Sequence, residues 1–232
     1  MSVPRYWLLT QELDQMSRYI TLIHSHLQET SGSFENYLEI QVADLPEEER
    51  EASYNDYYKH IVEFRDEFPG RFYSSFVISW YSFAENELFR LCEFLNLKIT
   101  ISIHDSESYG SGIKRAYRFL EAAKEYKVDN THWVEFTNVR RVRNILVHKR
   151  GKLGFSLTKP SDTRKFVSMN VDDDVAYFVL VDNTFYGYLI SHNMLGIRGG
   201  PHIMPTFDYC RHLIDFGLEL FSTLYRDMEL IE

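Results

Sequence analysis

Arg143, Asn144 and His148 fall within the run Arg-Asn-Ile-Leu-Val-His, whose polar members are of the types that handle protons and phosphates. An imidazole titrates near neutrality, an amide can orient it, and guanidinium groups donate paired hydrogen bonds to phosphate oxygens. Laid on a helix at about 100° per residue, Val139, Val142 and Leu146 gather on one side. Arg140, Arg141, Asn144 and His148 gather on the other, with Asn144 and His148 neighbours at the i,i+4 spacing. Arg143 lies between the faces, and its long stem can snorkel to the polar one. A histidine standing alone at such a place is ordinarily a surface or capping residue. Its company makes it a candidate for proton transfer.

The charge around this run differs from that of the whole chain. Across 232 residues, 25 basic side chains face 34 acidic ones, a net charge of −9 that by itself argues against a nucleic-acid partner. From Phe136 to Ser161, however, no acidic residue occurs, while Arg140, Arg141, Arg143, Lys149, Arg150, Lys152 and Lys159 supply seven cations. A positive island on an otherwise acidic body is the pattern of a localised polyanion site. Cations near a helix C-terminus also suit the helix dipole, so charge alone leaves both readings open.

Helices must position these residues. Leu9, Leu13, Met16, Ile20, Ile23 and Leu27 recur at steps of three and four and predict an amphipathic helix over about 5–29, ended by Thr30-Ser31-Gly32-Ser33. Pro46 and the acidic turn Glu47-Glu48-Glu49 open a second helix running to about Phe68, where Pro69-Gly70 breaks the chain. A third carries Tyr73, Val77, Trp80, Ala84, Leu88, Leu91 and Leu95; a loop over 106–112 and a shorter helix to about Lys127 follow. Asp129-Asn130-Thr131 offers caps for the fifth helix, which runs from near His132 to His148 or Arg150 and is stopped by Gly151 and Gly154.

Beyond it the pattern turns to strands: Lys165–Met169, Val175–Val181 and Phe185–Ile190, with Asp172-Asp173-Asp174 at the expected exposed tip. A last helix sets Phe207, Cys210, Ile214, Gly217, Phe221, Leu224 and Met228 on one face. The expected fold is mainly all-α: one domain over 1–232, an antiparallel helical bundle. A small β-hairpin or meander is inserted at 153–190, before the last helix, with strands confined to about 164–190.

Composition sets outer limits. Hydrophobic residues at 44% and charged residues at 25% describe a globular chain, and 16% aromatics suffice for a large core with a surplus for interfaces. No apolar run approaches the roughly 18–20 residues that span a bilayer, and the N-terminal sequence lacks a signal-peptide apolar region. Cys92 and Cys210 stand far apart without CxxC spacing, against both a disulfide framework and a thiolate zinc site. The expectation is a soluble, cytoplasmic protein with no membrane partner.

The segment Arg143-Asn144-Ile145-Leu146-Val147-His148, followed by Lys149-Arg150-Gly151, resembles the R-x4-6-H motif of HEPN domains in its RNxxxH form. The earlier Ser79-Trp80-Tyr81-Ser82-Phe83-Ala84-Glu85-Asn86-Glu87-Leu88 is similar to the aromatic helix with an acidic residue that precedes that motif in many members. The likeness covers roughly 70–230. It implies a metal-independent endoribonuclease, of toxin–antitoxin or antiviral type, that dimerises so that two motifs share one cleft. It needs no cofactor, and an inhibitory protein partner is possible.

On this resemblance Arg143 and His148 are the catalytic pair, Asn144 is the polar residue within the motif, and Glu85 is a supporting carboxylate that tethers Arg143 or orients His148. Arg140, Arg141, Lys149, Arg150 and Lys152 would bind RNA. The chemistry suits the residue types: RNA brings its own nucleophile, the 2′-hydroxyl, so the protein must move protons and neutralise charge at phosphorus. A second implied class is a HEPN-like module that binds protein or RNA without cutting.

Other constellations are weaker. Asp208 and His212 lie at i,i+4, a metal-ligand spacing, but no further ligands accompany them in sequence, so an ordinary helix-face pair and no metal are expected. His24 and His26 face different directions. Gly196–Gly200 lacks the lysine and hydroxyl residue of a P-loop, and Gly-x-Ser-x-Gly is absent. Tyr54, Tyr57 and Tyr58 could stack bases, but helix packing is the favoured account of them.

Overall fold

The computed structural model describes residues 3–96, 112–124, 130–158, 167–171, 175–197, 199–228 and 230. Helix α1, Val3–Val42, runs straight through the expected stop at residues 30–33. Ser33 returns its hydroxyl to the Glu29 carbonyl at 2.8 Å, and the helix continues because Leu38 and Val42 are buried against Ile61. That packing outweighs the roughly 1 kcal/mol cost of a mid-helix glycine. At 1.5 Å per residue α1 is about 60 Å long.

Pro69-Gly70 does not break the chain either. Helix α2, Glu47–Val62, passes through a π-helical turn, Glu63–Glu67, directly into α3, Phe68–Asn96. Val62, Glu63 and Phe68 all keep right-handed helical angles, and the Phe68 N–H reaches back to the Glu63 carbonyl. The wider turn lets the helix carry a proline, which has no N–H to give. Phe64 locks it, with its ring centroid 5.2 Å from Phe34 and 5.1 Å from Phe68.

Helices α4 (Ile113–Lys124) and α5 (Asn130–Lys149) pack on α3 as a helical core. The loop expected before α4 and the Asp129 cap lie outside the described residues, apart from Gly112. The β segment comprises β1 (Phe155–Ser156), β2 (Val167–Val171) and β3 (Val175–Val179), an antiparallel sheet in the order β1-β3-β2 with Phe155 opposite Val179 and Met169 opposite Tyr177. The acidic tip at 172–174 lies outside the described residues.

Phe185–Ile190, expected as a strand, belongs instead to α6, Asn183–Ser191. The Asp182 carboxylate caps it by accepting from the Phe185 N–H at 2.9 Å. A capped start and burial of Phe185, Tyr188 and Leu189 at helical spacing override the strand propensity of so short a run. Strands are also not confined to 164–190: besides β1, a hairpin of β4 (Leu195–Gly196) and β5 (His202–Ile203) precedes the last helix, α7 (Phe207–Asp227).

Buried residues of α1, α3–α7 and the β segment form the main cluster, and Leu38, Val42 and Ile61 form a second, smaller one between the end of α1 and α2. At the centre of the main cluster Trp80 packs between Phe136 and Phe216, at 6.0 and 5.9 Å between ring centroids. Gly217 allows the close approach, since a Cβ there would meet Leu13 and Trp80 at 3.3 Å. The inward faces expected for α3, α5 and α7 are the buried ones, with Phe207 only half-buried. The architecture is mainly α, with its small β segment before the last helix. No helix among the described residues is long and apolar enough to cross a membrane.

Candidate functional site

Phe136, Val139, Val142 and Leu146 fix α5 against the core, and that anchoring presents Asn144 and His148 to solvent. The helix ends where expected: Arg150 and Gly151 take positive φ of 52° and 80°, and the Gly151 N–H closes on the Ile145 carbonyl at 3.1 Å. A side chain at Gly151 would strike the Ile203 carbonyl oxygen, 2.9 Å from its Cβ. The stop therefore depends on glycine twice, for its angle and for the room it leaves β5.

Among the described residues His148 makes no hydrogen bond or ion pair. The Asn144 amide oxygen accepts from Arg143 Nη1 at 3.0 Å, so the amide orients the guanidinium and leaves the imidazole alone. Arg143 leans toward α3, with its Cζ 5.5 Å from the centre of the Tyr81 ring and its Nε buried without a partner. Burial pushes the Tyr81 hydroxyl up to about 12; Glu85 raises it further, while Arg140 and Arg143 oppose the rise. Glu85, Arg140 and Arg143 thus share one neighbourhood around Tyr81. No hydrogen bond or ion pair joins Glu85 to Arg143 or His148 among the described residues.

The expected RNA-binding cations divide into three: Arg140 is half-buried near Tyr81, and the other four form two groups. Arg141 is committed within the fold: it donates to Asp182 at 2.6 Å and lies 3.9 Å over the Phe185 ring. That hydrogen bond, together with the Phe185 N–H, holds the Asp182 carboxyl below its usual range despite some burial. Lys149, Arg150 and Lys152 are exposed and enter no ion pair among the described residues. Arg150 also lines a groove of about 900 Å³ with Arg71, His202 and Tyr58, and Asp66 and Glu67 make its lining partly acidic. Within and after the motif, Val147, Phe155 and Leu157 are exposed apolar side chains, as is Leu180, which would touch a Cβ at Gly154.

A second constellation escaped the sequence reading. His212 turns away from Asp208 to Glu135, donating from Nε2 to Oε1 at 2.8 Å. The Tyr188 hydroxyl donates to the same oxygen at 2.6 Å, and Tyr209 then donates to Tyr188 at 3.0 Å. His192, just past α6, brings its ring within 4.5 Å of His212. Burial would raise the Glu135 carboxyl, but the hydrogen bonds from His212 and Tyr188 hold it below its usual value. Burial lowers His192, and the neighbouring His212 lowers it further. Only the pairs Tyr188/His192 and Tyr209/His212 have helical spacing, so no local signal joined the three elements. The chain matches no family model, no curated protein and no solved structure.

Proposed function

We propose that the chain is a HEPN-type, metal-independent endoribonuclease that acts as a homodimer in a toxin–antitoxin or antiviral setting. The observation that carries this reading is the exposure of His148 beside three cations that are exposed and unpaired among the described residues, Lys149, Arg150 and Lys152, at the end of a firmly anchored helix. In this mechanism His148 takes the proton from the RNA 2′-hydroxyl or returns one to the leaving 5′-oxygen. Arg143, steadied by Asn144, neutralises charge on the phosphoryl oxygens. One chain offers a single such imidazole, and a second motif across a two-fold axis supplies the other proton-transfer group. Lys149, Arg150, Lys152 and Arg140 hold the RNA backbone, and Glu85 acts through the Tyr81 neighbourhood. The exposed side chains of Val147, Phe155, Leu157 and Leu180 supply contact area for the second copy.

Those same exposed apolar side chains favour a second reading: a HEPN-like module that docks a protein, such as an inhibitor, or RNA over the motif and cuts nothing. Purified protein and single-stranded RNA decide between them. Cleavage that persists in EDTA and disappears in His148→Ala supports the enzyme; binding of RNA without cleavage by either protein supports the module.

A further inference from the structure

Three separate elements deliver Glu135, His192 and His212 to one place: the first half of α5, the end of α6 and the first half of α7. Their donor atoms all lie within 4.8 Å of one another. We propose that these residues form a binding site for a divalent transition-metal cation of the zinc class, with a fourth position open to solvent.

The donor chemistry selects the ion. Two imidazoles and one carboxylate are a set that zinc takes where it keeps a position for water, whereas magnesium and calcium prefer oxygen donors throughout. Bonds of about 2.0–2.2 Å place donors about 3.4 Å apart around a tetrahedral ion. The cluster lies close to that spacing: the Glu135–His212 pair at 2.8 Å would open slightly, and His192, within 4.8 Å of both, would close in. On binding, the cation replaces the His212–Glu135 hydrogen bond, the His212 ring carries its proton on Nδ1, and Nε2 offers its lone pair.

Outer partners are already in place. Tyr188 donates to the Glu135 carboxylate and Tyr209 to Tyr188, the kind of support that holds a ligating carboxylate in orientation. Ions have a way in, since the His212 side chain is 37% exposed and that of Glu135 is 19% exposed. A purely hydrogen-bonded network does not account for His192. Glu135 is satisfied by Tyr188 and His212 without it, and the His192 side chain makes no hydrogen bond among the described residues. Two imidazole rings 4.5 Å apart beside one carboxylate repel each other when protonated. A cation between them gives all three side chains a common partner.

The site lies about 20 Å along α5 from His148, too far to touch the same phosphate. Its role is to brace the motif-bearing helix against α6 and α7. This inference stands apart from the ribonuclease reading, and its test uses no RNA. Full-length protein stripped with EDTA and desalted is titrated with Co²⁺, then Zn²⁺. Expected are one Co²⁺ per chain with the intense visible absorption of four-coordinate cobalt, displaced by Zn²⁺, and a rise in Tm with Zn²⁺. His192→Ala removes a ligand that supports no hydrogen bond, so it should fold as wild type and bind Co²⁺ at least tenfold more weakly. His212→Ala should abolish the band. No stoichiometric band in wild type, or unchanged Co²⁺ binding and Zn²⁺ stabilisation in His192→Ala, would overturn the proposal.

Discussion

At the residue scale, surroundings separate side chains that share one charge. Arg141 is held by Asp182 and covers Phe185, whereas Lys149, Arg150 and Lys152 are exposed and form no ion pair among the described residues. Replacing any one of those three with alanine should reduce the salt slope of RNA binding by about one, with little change in stability. Arg141→Ala should do the reverse, and parallel urea-unfolding and binding titrations separate the two behaviours. Asp182 has a definite pH signature. Its folded carboxyl is depressed, so its stabilisation is complete above the unfolded value of about 3.9 and is lost as pH falls through the lower folded value. Wild type should therefore lose more stability than Asp182→Asn between about pH 5 and pH 3, by no more than about 1 kcal/mol for so exposed a pair. The outward face of α5 was legible from periodicity because Val139, Val142 and Leu146 mark its opposite. The commitment of Arg141 was not, because Asp182 lies 41 residues away in sequence.

At the element scale, packing decides where local signals compete. Gly32 and Pro69-Gly70 read as breaks, yet α1 passes the first because of Leu38 and Val42, and the π-turn carries the chain through the second. Phe185–Ile190 has strand-like residues, but the Asp182 cap is a backbone contact that composition does not display. Two glycines test this account with opposite signs. Nothing lies within 4 Å of a Cβ at Gly32, so Gly32→Ala should stabilise the protein by about 0.5–1 kcal/mol in chemical denaturation. At Gly151 the φ of 80° and the Ile203 carbonyl both resist a side chain, so Gly151→Ala should destabilise by more than about 1 kcal/mol. The second change should also loosen the end of α5, and RNA cleavage should fall with it. Equal effects at the two sites would show that neither the α1 packing nor the α5 stop has been described correctly.

At the scale of the whole molecule, the chain builds a main core with a small satellite cluster and leaves two polar constellations on α5, one at each end. The His148 end carried a local motif and was legible in the sequence; the Glu135 end needs α6 and α7 to assemble and was not. Homodimerisation has its own consequence. If the site is composite, an excess of His148→Ala protein mixed with wild type should lower activity per wild-type chain, and dilution should lower specific activity. A dimer of ordinary size would bury about 1,600 Å² in total, and the exposed apolar side chains of Val147, Phe155, Leu157 and Leu180 offer part of that area. The most direct test of the central claim is cleavage of single-stranded RNA by wild type and by His148→Ala, both in EDTA and both shown to be folded. The account predicts cleavage by wild type that leaves 2′,3′-cyclic phosphate ends and falls at least a hundredfold in the variant. Equal cleavage by the two proteins, or no cleavage by either, would contradict it.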